Sequence, residues 1–334
     1  MPRLSIAPMV DCTDRHFRWA IRQLAPTTFL YTEMISAPSL IFGDAHRFLD
    51  YDSAEHPVGL QLASDKPEDL ERTTALAVEY GYDEVNLNCG CPSDKVQNAN
   101  YGACLMAQPK LVNRLVRAMV RQAKTTPVTV KHRIGIKGRE SYEHLREFAS
   151  AVMDAGASRL IIHARIAILE GLSPKENRTI PPLRYHDVER LKSEFPNWTI
   201  DINGGITNLV TIQQFSTIFD GVMVGRAAYE DPYFMADAER LIFGGAPAPT
   251  RAEFLKRLVD YFLPWEEQGL HWRHLLRHFP GLFHGLKGSR QWRHLISPPY
   301  AQGSIQHIIS QALSLIPSES LQSATSLAPV LKSS

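Results

Sequence analysis

Apolar residues follow two alternating patterns over the first two thirds of the chain. Short segments rich in Val, Ile and Leu recur, and each is followed by a longer segment with apolar residues at helical spacing. The segments predicted as strands are Leu4–Met9, Phe29–Ile35, Val58–Ala63, Glu84–Cys89, Val128–Arg133, Arg159–Ala164, Trp198–Ile202 and Gly221–Val224. Eight strands alternating with helices predict an α/β protein with a TIM (β/α)8 barrel.

Local signals support the helices between these strands. Pro67 and Pro109 each stand where a helix would begin, because proline lacks the amide that the first turn leaves unused. Gly81 and Gly156 each follow a helical segment, where glycine commonly ends a helix.

The organisation changes after the eighth strand. Residues 244–250 are rich in Gly, Ala and Pro, and helical periodicity resumes at Arg251. We therefore expect a barrel domain over residues 1–243 and a small helical domain over residues 251–334, with a helix and a frayed end after Ser318.

Composition narrows the class of protein. The chain has 334 residues, of which 44% are apolar and 21% are charged, and these values are typical of a globular protein with a large core. The net charge of +1 requires that any nucleic-acid footprint be a local patch. The four cysteines lack the spacing of a disulfide framework, and neither a leader nor a membrane-length apolar run is evident, so we expect a cytoplasmic protein.

The residues that end the predicted strands are strongly polar. In a TIM barrel these ends form the active site, so their convergence predicts a single ligand site. In chain order they are Pro8-Met9, Glu33, Gln61, Asn88 to Cys91, Lys131 to Arg133, His163 to Arg165, Asn203 to Gly205, and Gly225-Arg226.

The last two strands end in glycines. The segments Asn203-Gly204-Gly205 and Gly225-Arg226 occupy the two loops that commonly bind phosphate in such barrels. Either motif alone is equally compatible with a tight turn. Together, with Arg226 able to bind a phosphate through two nitrogens, they favour a phosphate group.

Lys131 and His163 end the fifth and sixth strands. The Lys131 ammonium would stabilise negative charge on a reduced flavin ring or, alternatively, form a Schiff base. His163 is compatible with a ligand contact and with a hydrogen-bonded core histidine.

Cys91 is the candidate for proton transfer. The glycine and proline beside it end the fourth strand, so its thiol should stand at the barrel mouth. An ordinary thiol keeps its proton at neutral pH and acts as a general acid. Zinc binding is the alternative, but a Cys-x-Cys pair with no second close pair is poor ligand spacing. Cys89 and Cys104 suit buried positions.

These segments resemble the tRNA-dihydrouridine synthase family in order and spacing. The matching motifs are Ala7-Pro8-Met9, Asn88 to Pro92, Val130 to Arg133, Ile162 to Arg165, Asn203 to Gly205, and Val224 to Arg226. Residues 171–178 with 180–183, and residues 281–285 with 288–293, resemble the bacterial A-type subgroup of that family.

The resemblance implies an FMN enzyme that reduces uridines 20 and 20a of the tRNA D-loop with NADPH, or NADH, as reductant. Cys91 would give the proton, and no metal would take part. The implied FMN contacts are Ala7, Pro8, Met9, Gln61, Lys131, His163, Asn203, Gly204, Gly205, Gly225 and Arg226. The implied tRNA contacts are Asn88, Lys175, Arg178, Arg290 and Arg293. The partner would be tRNA, not DNA or a membrane, and the protein would be a monomer.

One segment departs from the subgroup. Ile166 and Ile168 stand where the subgroup usually has Lys and Trp. The departure leaves the implied flavin contacts intact and bears on the details of RNA contact.

The tail carries a local basic patch. Residues 270–295 contain five Arg or Lys, five His and no acidic residue. Trp272, Phe279, Phe283 and Trp292 interleave these charges, as RNA-contacting surfaces often do, although some of them should belong to the core. A solvated helix face is the alternative.

Two rival functions use only part of these features. An FMN barrel reductase of a free pyrimidine or another small molecule would need no RNA-binding tail. A non-catalytic tRNA-binding protein would need no ring of polar strand ends. The sequence contains both features, so it favours the tRNA-modifying enzyme.

Overall fold

Parallel strands form one eight-stranded sheet in the part of the chain that this computed structural model describes, residues 1–297 and 303–326. The strands are β1 (Arg3–Ile6), β2 (Leu30–Ser36), β3 (Val58–Ala63), β4 (Glu84–Cys89), β5 (Val128–Ile136), β6 (Arg159–Ala167), β7 (Ile200–Asn203) and β8 (Gly221–Val224). Consecutive strands from β2 to β8 pair with one another, and β8 pairs with β1. The predicted TIM barrel is confirmed.

Two hydrogen bonds close the sheet between β1 and β2. The Phe29 N–H donates to the Leu4 carbonyl at 2.9 Å, and the Ile6 N–H donates to the Phe29 carbonyl at 3.0 Å. They join the two remaining edges, so every strand has a neighbour on both sides, as a barrel requires.

The strands are buried on both faces, as expected for parallel strands surrounded by helices. In β4, for example, Val85 and Leu87 alternate with Glu84, Asn86 and Asn88, and all five side chains are buried. The polar set hydrogen-bonds to side chains of β3 and β5, so it faces the barrel interior. Because of this alternation, a row of polar side chains runs along β4 inside the barrel and reaches the carboxyl end of the strand at Asn88.

Helices follow the strands and continue into the tail. They are α1 (Arg15–Arg22), α2 (Ala37–Phe42), α3 (Ala45–Leu49), α4 (Pro67–Glu79), α5 (Asp94–Asn98), α6 (Pro109–Ala123), α7 (Tyr142–Met153), α8 (Tyr185–Glu194), α9 (Leu209–Ser216), α10 (Arg226–Glu230), α11 (Pro232–Phe243), α12 (Arg251–Glu267), α13 (Arg273–Leu276), α14 (Ser289–Ile296), α15 (Ile305–Leu315) and α16 (Ser318–Leu321). None of these described helices is both long and apolar enough to cross a bilayer.

The chain divides into two compact units. One comprises Met1–Thr13 and Phe29–Gly225, and the other comprises Asp14–Thr28 and the chain from Arg226 onward. This division groups α10 and α11 with the tail, whereas the sequence placed them with the barrel. The limits at residues 243 and 251 stay a prediction, and residues 327–334 of the expected frayed end lie outside the described residues.

Sequence signals located several helix starts correctly. Helices α4 and α6 begin at Pro67 and Pro109, and α12 begins at Arg251. Thr250 caps α12, because its N–H donates to Glu253 Oε2 at 2.7 Å while its hydroxyl accepts from the Glu253 N–H at 3.3 Å.

The aromatic residues of the basic tail form the core of the second unit. Trp272, Phe279, Phe283 and Trp292 are at most 1% exposed. The Trp292 Nε1 donates to the Phe279 carbonyl at 2.6 Å, so its polar edge is also used inside the protein. The expectation that these four rings interleave the charges on an RNA-contacting surface is therefore wrong, because burial in a small helical unit uses all of them.

Candidate active site

The carboxyl ends of the strands bring several predicted residues to one end of the barrel. In the strand registers, Asn88 lies opposite Lys131, and His163 lies opposite Asn203. The Lys131 ammonium donates to Asn203 Oδ1 at 3.2 Å, and Asn203 Nδ2 donates to the Met223 carbonyl at 2.7 Å. These residues are therefore connected directly. The prediction that Lys131 and His163 end their strands is wrong, because β5 continues to Ile136 and β6 continues to Ala167.

Asn88 fixes the backbone that carries the Cys91 thiol. Its Oδ1 accepts from the N–H of Gly90 at 3.1 Å and from the N–H of Cys91 at 3.0 Å. On the other side of the loop, Gly102 has a φ of +67°, and a Cβ there would lie 2.5 Å from the Cys91 carbonyl oxygen. Only glycine permits this approach, so the backbone on both sides of Cys91 is constrained.

The environment of Cys91 keeps its thiol protonated. Burial raises the pKa of this half-buried thiol, and the Ser93 N–H and the charges of Arg133, Lys131 and Arg178 oppose that effect only in part. In residues 1–297 and 303–326, no three His, Cys, Asp or Glu side chains are arranged to hold a metal ion. The arrangement suits donation of a proton.

Asn88 is also the first residue of a column of hydrogen-bonded side chains inside the barrel. The column consists of Asn88, Gln61, Asn86, Thr129 and Glu84. Asn88 Nδ2 donates to Gln61 Oε1 at 2.8 Å, and Gln61 Nε2 donates to Asn86 Oδ1 at 2.7 Å. Asn86 Nδ2 then donates to Thr129 Oγ1 at 2.7 Å, and that hydroxyl donates to Glu84 Oε1 at 2.5 Å. Each amide in the column is bonded at both ends, which fixes its orientation.

Lys131 lies beside this column, and its ammonium loses its proton more readily than that of an ordinary lysine. Burial, together with the charge of the neighbouring Arg133, lowers the pKa of its ammonium to about 8. The ammonium therefore remains mostly charged at neutral pH and loses its proton in mildly alkaline solution.

The turn after β7 is built on two glycines with left-handed backbone conformations. Gly204 has a φ of +109° and Gly205 has a φ of +67°. A Cβ on Gly204 would lie 3.2 Å from the His163 ring, and one on Gly205 would lie 2.5 Å from the Leu183 side chain. The Tyr185 hydroxyl donates to the Gly204 carbonyl at 2.5 Å. The main chain is therefore held close to His163.

The ends of β1 and β8 lie side by side. The Ala7 N–H donates to the last carbonyl of β8 at 2.8 Å, and Pro8 and Met9 continue from it as half-buried residues. A Cβ on Gly225 would meet nothing closer than the Ala7 Cβ at 4.0 Å, so this main chain faces open space. Arg226 begins α10 in the second unit.

The predicted RNA contacts are distributed over both units. Lys175 and Arg178 are exposed in the segment between β6 and α8 of the first unit, and Arg290 and Arg293 are exposed on α14 of the second. Asn88 differs from them, because its side chain is only 8% exposed and bonded within the barrel.

Sequence reasoning gave no role to two buried residues that hold the loops of the site together, although it included Arg133 among the polar strand ends. The Arg133 guanidinium joins the backbone after β4 to the backbone after β6, and Asn177 organises the segment that carries Lys175 and Arg178. A role for Arg133 could have been inferred, because it stands two residues after Lys131 and so shares its face of β5. Asn177 offered no comparable signal.

Solved structures support the fold alone. The chain is similar to an old yellow enzyme homologue from Zymomonas mobilis, with a TM-score of 0.52 and 13% identity over 75% of this chain and 90% of that one. It is also similar to morphinone reductase in complex with tetrahydroNAD, with a TM-score of 0.51 and 14% identity over the same shares.

Sequence relatives are much closer. Proteins described as tRNA-dihydrouridine(20/20a) synthase are 53% identical in Pseudomonas putida and 51% identical in Synechocystis, each over 88% of this chain and 88% of the relative. One from Vibrio parahaemolyticus is 46% identical over 95% of this chain and 98% of the relative. The sequence model of the dihydrouridine synthase family matches residues 5–313. The chain therefore belongs to the dihydrouridine synthase family, and the prediction that it is an enzyme of that family is confirmed.

Proposed function

We propose that this protein is an FMN-dependent oxidoreductase that reduces uridine to 5,6-dihydrouridine in the D-loop of tRNA. The sites would be positions 20 and 20a, as in the description of its relatives, and NADPH would be the electron donor. The observation that carries the proposal is the Cys91 thiol, which is half-buried, is held by Asn88 beside Lys131, and lies in surroundings that raise its pKa. A cytoplasmic location and a monomeric state belong to the same proposal.

The residues present fit an FMN. Open space beside Gly225 and the close main chain at Gly204 and Gly205 suit a phosphate and its ribityl chain, since glycine amides can approach such groups without steric hindrance. The Lys131 ammonium lies among the strand ends, where it would face negative charge on the ring. The residues that would hold FMN are Ala7, Pro8, Met9, Gln61, Lys131, His163, Asn203, Gly204, Gly205, Gly225 and Arg226.

The contribution of the chain is to place an acid and to orient a base. When bound, FMN supplies the hydride that C6 of uridine accepts, with NADPH as the source of electrons. The Cys91 Sγ gives its proton to C5 of the uracil ring, and solvent restores that proton afterwards. The raised pKa of the thiol keeps the proton available at neutral pH. Moving a loop uridine out of its stack in the tRNA costs roughly a few kcal/mol, because a loop base is only loosely stacked.

The proposed RNA contacts divide between the units. Lys175 and Arg178 would meet the substrate from the first unit, and Arg290 and Arg293 would hold its backbone from α14. Asn88 would act on the substrate with the one amide hydrogen that its bonds to Gln61, Gly90 and Cys91 leave available.

An NADPH oxidation assay distinguishes this proposal from its rivals. Purified protein is saturated with FMN, and NADPH absorbance is followed under anaerobic conditions with unmodified tRNA, free uridine or uracil. We expect stoichiometric oxidation with tRNA alone. Equal oxidation with free pyrimidines would support a small-molecule reductase. A protein that binds tRNA but neither FMN nor NADPH would be a non-catalytic binder.

A further inference from the structure

Arg133 is a buried arginine whose hydrogen bonds reach two loops. It follows Lys131 by two residues on β5 and is only 4% exposed. Its Nε donates to the Gly90 carbonyl at 3.0 Å, immediately before Cys91. Its Nη1 donates to the Ile166 carbonyl at 2.9 Å and to the Asn177 carbonyl at 3.0 Å.

The acceptors are backbone carbonyls of the loop that carries Cys91, of β6 and of the segment that follows β6. The register between β5 and β6 shifts after Arg133 and His163, because β6 contains one additional residue before Ile166. Such a bulge disrupts the ladder locally, and the Arg133 guanidinium supplies a donor to the Ile166 carbonyl there. Asn177 belongs to no strand, so its carbonyl depends on the same guanidinium.

Asn177 extends this connection along the second loop. Its buried side chain accepts from the Ile168 N–H at 2.8 Å and donates to the Ile168 carbonyl at 2.8 Å. These two reciprocal hydrogen bonds resemble those between paired strands, and they hold Ile168 and Asn177 together. The contacts of Ile166 and Ile168 in this arrangement are made by their backbones, so their side chains can differ between relatives without loss of the connection.

We propose that Arg133 is a positioning residue that couples the Cys91 loop (residues 90–93) to the β6–α8 loop (residues 168–184). It would hold the proton-donating thiol and the Lys175 and Arg178 side chains in one arrangement. The catalytic part of this inference rests on the proposed function.

Only arginine can make this set of contacts. Its planar guanidinium presents donors in fixed, divergent directions, whereas a lysine ammonium is a single point at the end of a flexible chain. Burial, with Arg178 and Arg165 nearby, lowers the pKa of the Arg133 guanidinium to about 10, so it stays charged at neutral pH. That fixed charge also opposes the rise that burial causes in the pKa of the Cys91 thiol.

Limited trypsin digestion tests the coupling without reference to activity. The protease cleaves after Lys175 and Arg178, both exposed in the β6–α8 loop. We expect Arg133→Lys and Arg133→Met to speed cleavage at these two sites at least about tenfold, measured by mass spectrometry against the other tryptic sites, because charged hydrogen bonds to the loop are lost. The matched control is Arg139→Lys, a half-buried arginine paired with Glu147 outside the two coupled loops, which should leave both rates unchanged. Unchanged cleavage in both Arg133 variants would overturn the proposal.

Alkylation of Cys91 distinguishes the effect of the Arg133 charge from the effect of the Arg133 hydrogen bonds. Lys131, Arg133 and Arg178 are the charged groups that influence this thiol. Arg133→Met should move the pH profile of Cys91 alkylation to higher pH, whereas Arg133→Lys should leave the midpoint near that of the wild type.

In the FMN-loaded enzyme, Arg133→Lys should lower kcat for dihydrouridine formation and leave NADPH oxidation by an artificial acceptor intact. A wild type that forms no dihydrouridine would refute the proposed function while the digestion result stands. Normal kcat in a variant with accelerated cleavage would refute the catalytic part of the coupling.

Discussion

The Cys91 region and the α14 surface hold their polar groups in opposite ways. Around Cys91, Gln61 and Asn88 are buried, and every amide of their column is hydrogen-bonded inside the barrel. On α14, Arg290 and Arg293 are exposed, and no hydrogen bond or ion pair joins their side chains to another described residue. The first region is arranged before any ligand binds, and the second offers unpaired charge to solvent.

This difference separates two kinds of contribution to function. A reacting group must be held within a fraction of an ångström, so its neighbours are buried and bonded. A phosphate backbone can be attracted by flexible charges, so its contacts remain on the surface. Changes in the first region should therefore alter product formation, and changes in the second should alter affinity and its salt dependence.

The largest effect is expected at Cys91. Cys91→Ala removes the proton donor, so dihydrouridine formation should fall by about 10²–10⁴-fold, while FMN binding and NADPH oxidation by an artificial acceptor are retained. Product is measured by mass spectrometry of digested tRNA. The matched control is Cys89→Ala, a wholly buried thiol, which should mainly lower stability. Normal product formation by Cys91→Ala would remove this thiol from the mechanism.

Trp292 tests whether the tail aromatics are core. Trp292→Ala should lower the free energy of unfolding by about 3–5 kcal/mol, because a fully buried indole and its bond to the Phe279 carbonyl are lost. Thermal and urea denaturation measure this. A stable variant with selectively weakened tRNA binding would restore the RNA-contacting role for this ring.

Arg290 and Arg293 should change binding without changing chemistry. Replacing both with Ala should weaken tRNA binding roughly tenfold and reduce its salt slope by up to about two phosphate contacts. Binding is measured by titration at several salt concentrations, with NADPH oxidation as the unaffected reference. Lys287→Ala is the comparison, since Lys287 is already paired with Glu319 at 2.9 Å and should contribute less. An unchanged slope in the double variant would return α14 to a structural role.

Lys131 should give a milder, pH-dependent effect. Its folded-state pKa is lowered to about 8, so the charged form is lost as pH rises through that value. NADPH oxidation by the FMN-loaded protein should then fall about tenfold from roughly pH 7 to pH 9, and Lys131→Met should be slow at every pH. Borohydride trapping tests the alternative role. A covalent adduct at Lys131 would contradict the prediction, because it would indicate a Schiff base.

Much of the barrel site could be predicted because strand ends are visible in the sequence. Asn88, Lys131 and Asn203 fall where apolar runs stop, and the register of parallel strands brings them together. The partners of Arg133 could not be predicted, because they are backbone carbonyls that lie up to 44 positions away in sequence. The tail was harder for another reason: spacing alone does not show which side of a short helix faces the core, so the sequence did not show that all four aromatic side chains of the tail are buried.

The most direct test of the account is the mass of the tRNA D-loop after reaction. An unmodified transcript is incubated with the FMN-loaded protein and NADPH, digested, and mapped by mass spectrometry. We expect the uridines at positions 20 and 20a each to gain the mass of two hydrogen atoms, and no other uridine to do so. A flavin-loaded protein that oxidises NADPH and leaves every D-loop uridine unchanged would contradict it.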